Sequence, residues 1–281
     1  MNIVHISDMH FGPYHWNANN DELLDRINNS GADLVLNTGD MTTDSLENEF
    51  QQAGEFIARI ECENTISIMG NHDKFSRRSH DFFRKYIYDD EFVEPKDKSK
   101  VRKRRVYMNK DILTLEGYFY EANFVRVFNI KNEKVMVVAL DTCVMHQHTG
   151  FVEAEILHAI SEIIKTTPHD RMLMMTHHSV LSTDNEPLYC SNHVIDFLIK
   201  HKVEATFCGH SHVADIVEMR SIIKGHSYRQ FMCGSMSSRT VFHEPNMYFT
   251  YENFGTESEK FTLTHMYPEK SGIKFVDTVI G

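Results

Sequence analysis

Five short clusters of oxygen- and nitrogen-bearing side chains, each directly after an apolar stretch of strand length, constrain this chain more than any other feature. The first is Asp8-Met9-His10, after Ile3 to Ile6. Gly39-Asp40, Gly70-Asn71-His72-Asp73, Thr176-His177-His178 and Gly209-His210-Ser211-His212 follow in order. In open α/β sheets the loops at the carboxyl ends of the strands converge on one edge, so residues far apart in the chain meet there. Asp8 and His10 are two apart, as are His210 and His212, and near a strand end that period projects both side chains to one side. Two ligands of one ion need that arrangement. A lone Asp-x-His is an ordinary polar pair, but five such clusters in series describe a metal centre rather than a set of satisfied loop residues.

The apolar runs set the expected scaffold. Ile3 to Ile6, Leu34 to Leu36 and Thr65 to Met69 read as buried strands, separated by helical patterns near Asn20 to Asn29 and Ser45 to Ile60, a βαβαβ beginning. Val135 to Leu140, Met172 to Met175 and Ala205 to Cys208 continue the strands, with helices around Glu153 to Lys165 and Ser191 to Lys200. After His212 the character changes. Tyr228 to Met232, Tyr248 to Tyr251, Phe261 to His265 and Ile273 to Val279 read as strands without long helices between them, which suggests a second, more antiparallel sheet. The expected class is α/β. With no repeat or low-complexity tract, the 281 residues are expected to form one domain, with a strand-rich C-terminal part from about 213.

Composition narrows the partners. A formal net charge of −11 disfavours bulk attraction to nucleic acid or anionic membrane, so nucleic acid is possible but not favoured and no membrane partner is expected. There is no basic-then-apolar leader and no apolar run of spanning length, so a cytoplasmic location is expected. Five cysteines without a C-x-x-C pair, Cys62, Cys143, Cys190, Cys208 and Cys233, read as reduced, small core residues. Lys96 to Arg105 carries seven Lys or Arg without apolar periodicity, a solvated insertion or else a cationic flap over an anionic substrate. The oligomeric state is not legible.

Taken together, the five clusters resemble the signature of the calcineurin-like metallophosphoesterase family: Asp-x-His, Gly-Asp, Gly-Asn-His-Asp/Glu, His and Gly-His-x-His. The match runs from about Asn2 to His212. The resemblance implies a two-sheet α/β/β/α sandwich with the metal site at the carboxyl ends of the strands. The third block ends in Asp73, as in the class III cyclic-nucleotide phosphodiesterases and many nucleases, whereas protein Ser/Thr phosphatases usually have Glu. The longer Gly-Asp-x-x-Asp-Arg-Gly form is absent, since this chain reads Gly39-Asp40-Met41-Thr42-Thr43-Asp44.

By similarity, Asp8, His10, Asp40 and His212 would bind one ion, and Asp40, Asn71, His177 and His210 a second, with Asp40 bridging. The residue types suit this: a carboxylate has two oxygens to share, and a neutral Asn carbonyl adds an oxygen without charge. Oxygen and nitrogen ligands without thiolate point to two divalent or mixed-valence ions of Mn, Fe or Zn. His178 is expected to be structural or to contact substrate. The family role of His72 is to protonate the leaving oxygen, worth about 10² to 10⁴ in rate. Its orienting partner in phosphatases is an acid three after the bridging Asp, a position held here by Thr43, which leaves Asp44 or Asp73 to serve.

The resemblance implies a metal-dependent phosphodiesterase acting on cyclic nucleotides or related small diesters. A phosphomonoesterase or nuclease on the same centre is the alternative, and a non-catalytic scaffold a more distant one. The stretch Leu140-Asp141-Thr142, then Gly150 and a helix, also resembles the diesterase branch. Tyr14, Trp16 and His178 are the candidates to contact a second ester group.

Overall fold

The computed structural model describes residues 1–88, 105–108, 111–114, 122–181, 186–239 and 244–280. Two six-stranded mixed sheets face each other. In the first, the order in space is Gly272–Ile280, Lys260–Glu269, Asn246–Glu252, Ile3–Ile6, Leu34–Asn37, Thr65–Ser67. The last three run parallel, and the C-terminal three add to them antiparallel. The second sheet runs Asp215–Ser221, His226–Met232, Ala205–Cys208, Arg171–Met175, Glu133–Ala139, Phe124–Ile130, with its four central strands parallel.

The two sheets correct one expectation. The late strands do not form a sheet of their own. Tyr248, Phe261 and Ile273 lie on strands that extend the N-terminal sheet, whereas Tyr228 lies on a strand of the other. The cause is burial: Ile3–Ile6 is buried along its whole length, and pairing with Asn246–Glu252 covers its second edge. An uncovered edge there would leave backbone donors and acceptors unsatisfied in the core.

Alternation divides the second sheet between two cores. Val135, Val137, Ala139, Leu173, Met175, Phe207 and Phe231 point into the space between the sheets. Met136, Val138, Met172 and Met174, one residue out of phase, meet the outer helices Ala154–Thr166 and Ser191–His201 through Ile160, Ile164, Val194 and Leu198. A strand buried on both faces reads as a continuous apolar run, which is why these segments were visible in the sequence. Between the sheets Phe207, Phe231 and Tyr251 pack edge-on with ring centroids 4.8 and 5.6 Å from the tyrosine. On the other side, helices Asn20–Asn28 and Glu47–Ile57 bury Leu23, Ile27, Phe50 and Ala53 against the same core. The architecture is therefore an α/β/β/α sandwich.

Among the described residues no helix is long and apolar enough to cross a membrane. Three of the five free cysteines, Cys143, Cys208 and Cys233, are buried, while Cys62 and Cys190 are partly exposed. The basic segment Lys96 to Arg105 lies outside the described residues except at its end, where Arg105–Met108 pairs antiparallel with Asp111–Thr114.

Candidate metal centre

Each expected ligand lies two to four residues beyond the end of a parallel strand. Asp8 and His10 follow Ile3–Ile6, Asp40 follows Leu34–Asn37, and Asn71 follows Thr65–Ser67, all in the first sheet; His177 follows Arg171–Met175, and His210 and His212 follow Ala205–Cys208, in the second. The sandwich thus brings the edges of both sheets to one place.

The means of convergence differs from strand alternation. Asp8, His10, Asp40, His210 and His212 all have positive φ, between 49° and 73°. These residues sit in left-handed turns after the strands, not on the pleat. Non-glycine residues in that region are uncommon and costly, and they concentrate at functional sites. The motif glycines have a related cause. A Cβ on Gly70 would fall 2.1 Å from Asp40 Oδ1, and one on Gly209 would fall 1.9 Å from Ser7 Oγ and 2.4 Å from Asp8 Oδ2. Only glycine lets these loops approach the carboxylates so closely.

Asp8, His10, Asp40 and His212 each offer one ligand atom, all within 4.8 Å of one another. His212 Nε2 stands 3.2 Å from Asp8 Oδ1 and 3.2 Å from His10 Nε2. His10 Nε2 is 4.0 Å from Asp40 Oδ2. His177 Nε2 lies 3.4 Å from the same oxygen, Asp40 Oδ2. Asn71 Oδ1 is 2.9 Å from both His177 Nε2 and His210 Nδ1. All seven expected ligands are therefore assembled, with Asp40 Oδ2 within 4.0 Å of a histidine of each group.

The donor set fits metal ions. Ligands held at about 2.0 to 2.2 Å from one ion lie roughly 3 to 3.5 Å from each other, close to the spacings seen. The ring nitrogens of His10 and His212 face each other across 3.2 Å, near enough to share a hydrogen bond or to take one ion between them. His177 Nδ1 donates to the Thr38 carbonyl at 2.8 Å, which leaves Nε2 as the atom free to bind an ion.

Electrostatics point the same way. Burial pushes the Asp8 carboxyl up, but His212 overrides it and holds it at about 2. Burial opposes ionisation of Asp40 as well, and the neighbouring His177 outweighs it, keeping Asp40 well below the usual range. Burial lowers His10 to about 4. For His177 the burial penalty is exceeded by Asp40, which raises it to about 9. Two buried carboxylates are thus held ionised by imidazoles that carry the positive charge, His177 above all, and a bound cation would take over that charge and release the imidazole proton.

His72 adjoins this group without pointing a ligand at it. Its backbone N–H donates to Asp40 Oδ1 at 2.7 Å, and its ring meets His10 edge-on at 4.9 Å. The expectation that Asp44 or Asp73 orients the ring does not hold. His72 Nδ1 donates to the Thr43 carbonyl at 2.8 Å. Asp44 is exposed. The Asp73 carboxylate, fully buried, is consumed by the amides of Met41, Thr42 and Gly70 and the Thr42 hydroxyl at 2.8 to 3.2 Å. Burial, then Asp40, raises Asp73 to about 6. Its task is to pin the Asp40 loop to the Asn71 loop. Ser45 completes the hold, donating to the His72 carbonyl at 2.6 Å and accepting from Phe75 N–H at 2.8 Å.

Of the residues expected to meet a second ester group, Tyr14 alone is available, 46% exposed with its ring 6.5 Å from His10. Trp16 is 5% exposed and its indole N–H donates to Asn20 Oδ1 at 2.7 Å, so it presents no stacking face. His178 is buried, with Nε2 donating to the His148 carbonyl at 2.7 Å and Nδ1 accepting from the Thr142 hydroxyl at 2.9 Å.

Several residues of the site escaped the sequence reading. His148 Nδ1 lies 3.3 Å from Asn71 Nδ2. His146 stacks on Phe75 with ring centroids 5.9 Å apart, and Glu186 Oε2 is 3.2 Å from His210 Nε2. Beneath them, the buried Lys74 pairs with Asp141 and donates to the Cys143 carbonyl at 3.1 Å. The only available signal was proximity in sequence, Lys74 to the third cluster and Glu186 to the fourth.

The calcineurin-like phosphoesterase family model matches residues 1–214. No curated protein sequence matches the chain. Among solved structures, the anchor GAP50 of the inner membrane complex of Plasmodium shares 9% identity, with 100% of this chain and 89% of that one covered at a TM-score of 0.54. Purple acid phosphatase PPD1 from yellow lupin (Lupinus luteus) seeds shares 11% identity, with 100% of this chain and 53% of that one covered at a TM-score of 0.53. Zinc-complexed Vps29 from Entamoeba histolytica shares 12% identity over 99% of both chains, at a TM-score of 0.43.

Proposed function

We propose, for a chain that belongs to the calcineurin-like phosphoesterase family, that its metal-dependent phosphoester hydrolysis is directed at diesters, namely cyclic nucleotides or related small phosphodiesters. The carrying observation is the position of Asp40, whose Oδ2 is approached by both His10, at 4.0 Å, and His177, at 3.4 Å. One group shared in this way serves two ions, which Asp8, His10 and His212 on one side and Asn71, His177 and His210 on the other would hold. When bound, such a pair supplies Lewis acidity that acidifies water near neutral pH and holds phosphoryl oxygens.

The protein's own residues supply the rest. His72 has Nδ1 committed to the Thr43 carbonyl. A carbonyl only accepts, so Nδ1 keeps its hydrogen throughout; with the ring as imidazolium, Nε2 is the atom that gives a proton to the leaving oxygen, leaving the neutral Nδ1–H ring behind. The left-handed turns at Asp8, His10, Asp40, His210 and His212 place five of the seven ligands through the backbone itself, the kind of positioning that catalysis requires.

Diester preference is a matter of the rim. A diester carries one negative charge and a monoester two, so the cationic centre alone favours the monoester. Tyr14, Phe75, His146 and His148 border the site on the side of His10 and His72. They offer apolar and hydrogen-bonding contact to a second ester group. The Gly70-Asn71-His72-Asp73 block and Leu140-Asp141-Thr142 support the same reading by resemblance. A non-catalytic scaffold is the second reading, since the Plasmodium protein of the same fold is an anchor. The retention of all seven ligands and of His72 favours the enzyme.

The test is a comparison of substrates on metal-reconstituted protein. Bis-nitrophenyl phosphate is expected to give a higher kcat/KM than the mono-nitrophenyl ester, and a 3′,5′-cyclic nucleotide to yield a nucleoside monophosphate that accumulates. A better monoester, or degradation of linear DNA with cyclic nucleotides intact, transfers the assignment to a phosphatase or nuclease. Metal-loaded protein without turnover on any of these transfers it to a scaffold.

A further inference from the structure

His148 is exposed, yet the loop that carries it is fixed from three directions. Its carbonyl accepts from His178 Nε2 at 2.7 Å, and His178 is itself held by the Thr142 hydroxyl. The buried Lys74–Asp141 pair ties the loop's start to the turn bearing Asn71 and His72. The Lys74 carbonyl accepts the N–H of His146 at 3.3 Å, two residues before His148. An exposed surface imidazole has no need of such support.

The ring's own contacts define its chemistry. Asn71 Oδ1 faces His177 and His210, so its Nδ2 points outward, 3.3 Å from His148 Nδ1. An amide nitrogen only donates, so His148 Nδ1 accepts and the ring hydrogen resides on Nε2. The His148 ring centroid is 5.8 Å from that of His72 and 6.1 Å from that of Phe75. The Nε2–H is thus a donor at the open face of the site, beside the expected acid.

We propose that His148 is a substrate-contacting residue that donates from Nε2 to an oxygen of the bound phosphoester next to His72, while its Nδ1 fixes the outward amide of Asn71. This rests on the phosphoesterase reading given above. One hydrogen bond to an anionic oxygen, lost without a replacement, corresponds to roughly a tenfold or greater loss of affinity.

The experiment compares wild type with His148→Phe and His148→Gln, all metal-reconstituted. Metal content is measured first, then binding of inorganic phosphate by calorimetry, then kcat and KM for bis-nitrophenyl phosphate. The phenylalanine variant is expected to keep its metals, to bind phosphate about tenfold more weakly and to show the loss mainly in KM. Glutamine, which keeps a donor, is expected to recover much of it. Equal phosphate affinity in wild type and His148→Phe overturns the proposal. The binding arm does not depend on turnover: an inactive wild type that still binds phosphate through His148 removes the enzyme reading and leaves this contact standing.

Discussion

The backbone N–H of His72 donates to Oδ1 of Asp40 at 2.7 Å, so the carboxylate proposed to bridge two ions also holds the residue proposed to protonate the leaving group. Asp40→Ala is therefore expected to do more than remove one ligand. Both ions should be lost by elemental analysis and turnover should fall to background. His212→Ala should weaken chiefly the site it shares with Asp8 and His10. Retention of two ions by Asp40→Ala would contradict the bridging role.

His72 itself admits a cleaner separation. His72→Ala is expected to keep both ions and lose about 10²-fold or more in turnover, because the proton-donating contribution goes and the ligands stay. The loss should shrink for a nitrophenolate leaving group, which needs no proton. An equal loss for good and poor leaving groups would exclude the acid role.

Asp44 and Asp73, the two acids nearest His72 in the sequence blocks, should differ on substitution. Asp44 is exposed and does not touch the ring, so Asp44→Asn should leave kcat within about twofold, with stability changed by no more than about 0.5 kcal/mol. Asp73→Asn removes acceptors from buried amides that bind the Asp40 and Asn71 loops together. It is expected to lower stability by about 1 to 3 kcal/mol in chemical denaturation and to weaken metal binding with it.

Particular residues show why the site was only partly legible. The ligands were visible because metal binding demands specific side chains, and the parallel strands that deliver them are buried on both faces and so continuously apolar. His72's partner was not visible, because it is the carbonyl of Thr43, a group every residue carries. The left-handed turns at Asp8, Asp40 and His210 leave no sign in the side chains that occupy them; only flanking Gly39, Gly70 and Gly209 hint at crowding. His148 and His146 lie on a loop without periodicity, and their place was decided by Lys74 and His178, far away in sequence. The assignment of the C-terminal strands failed because antiparallel pairing onto a buried edge depends on which edge is uncovered, a property of the assembled sheet.

Lys74 and Asp141 offer a test of that loop's anchoring. Their side chains are 0% and 6% exposed, and removing one partner of such a pair leaves a buried charge. Lys74→Met is expected to destabilise the fold by about 3 to 5 kcal/mol, and the double substitution Lys74→Met with Asp141→Leu to recover a substantial part. A double variant as unstable as the single one would show that the pair's worth lies in its hydrogen bonds to Cys143 rather than in charge neutralisation.

The most direct measurement is a metal titration of chelator-stripped protein, reading bound metal per chain by elemental analysis and hydrolysis of bis-nitrophenyl phosphate on the same samples. Two ions per chain are expected, with activity absent from the stripped protein and complete only when the second ion is bound. Full activity in the stripped protein, or saturation at a single ion, would contradict the account.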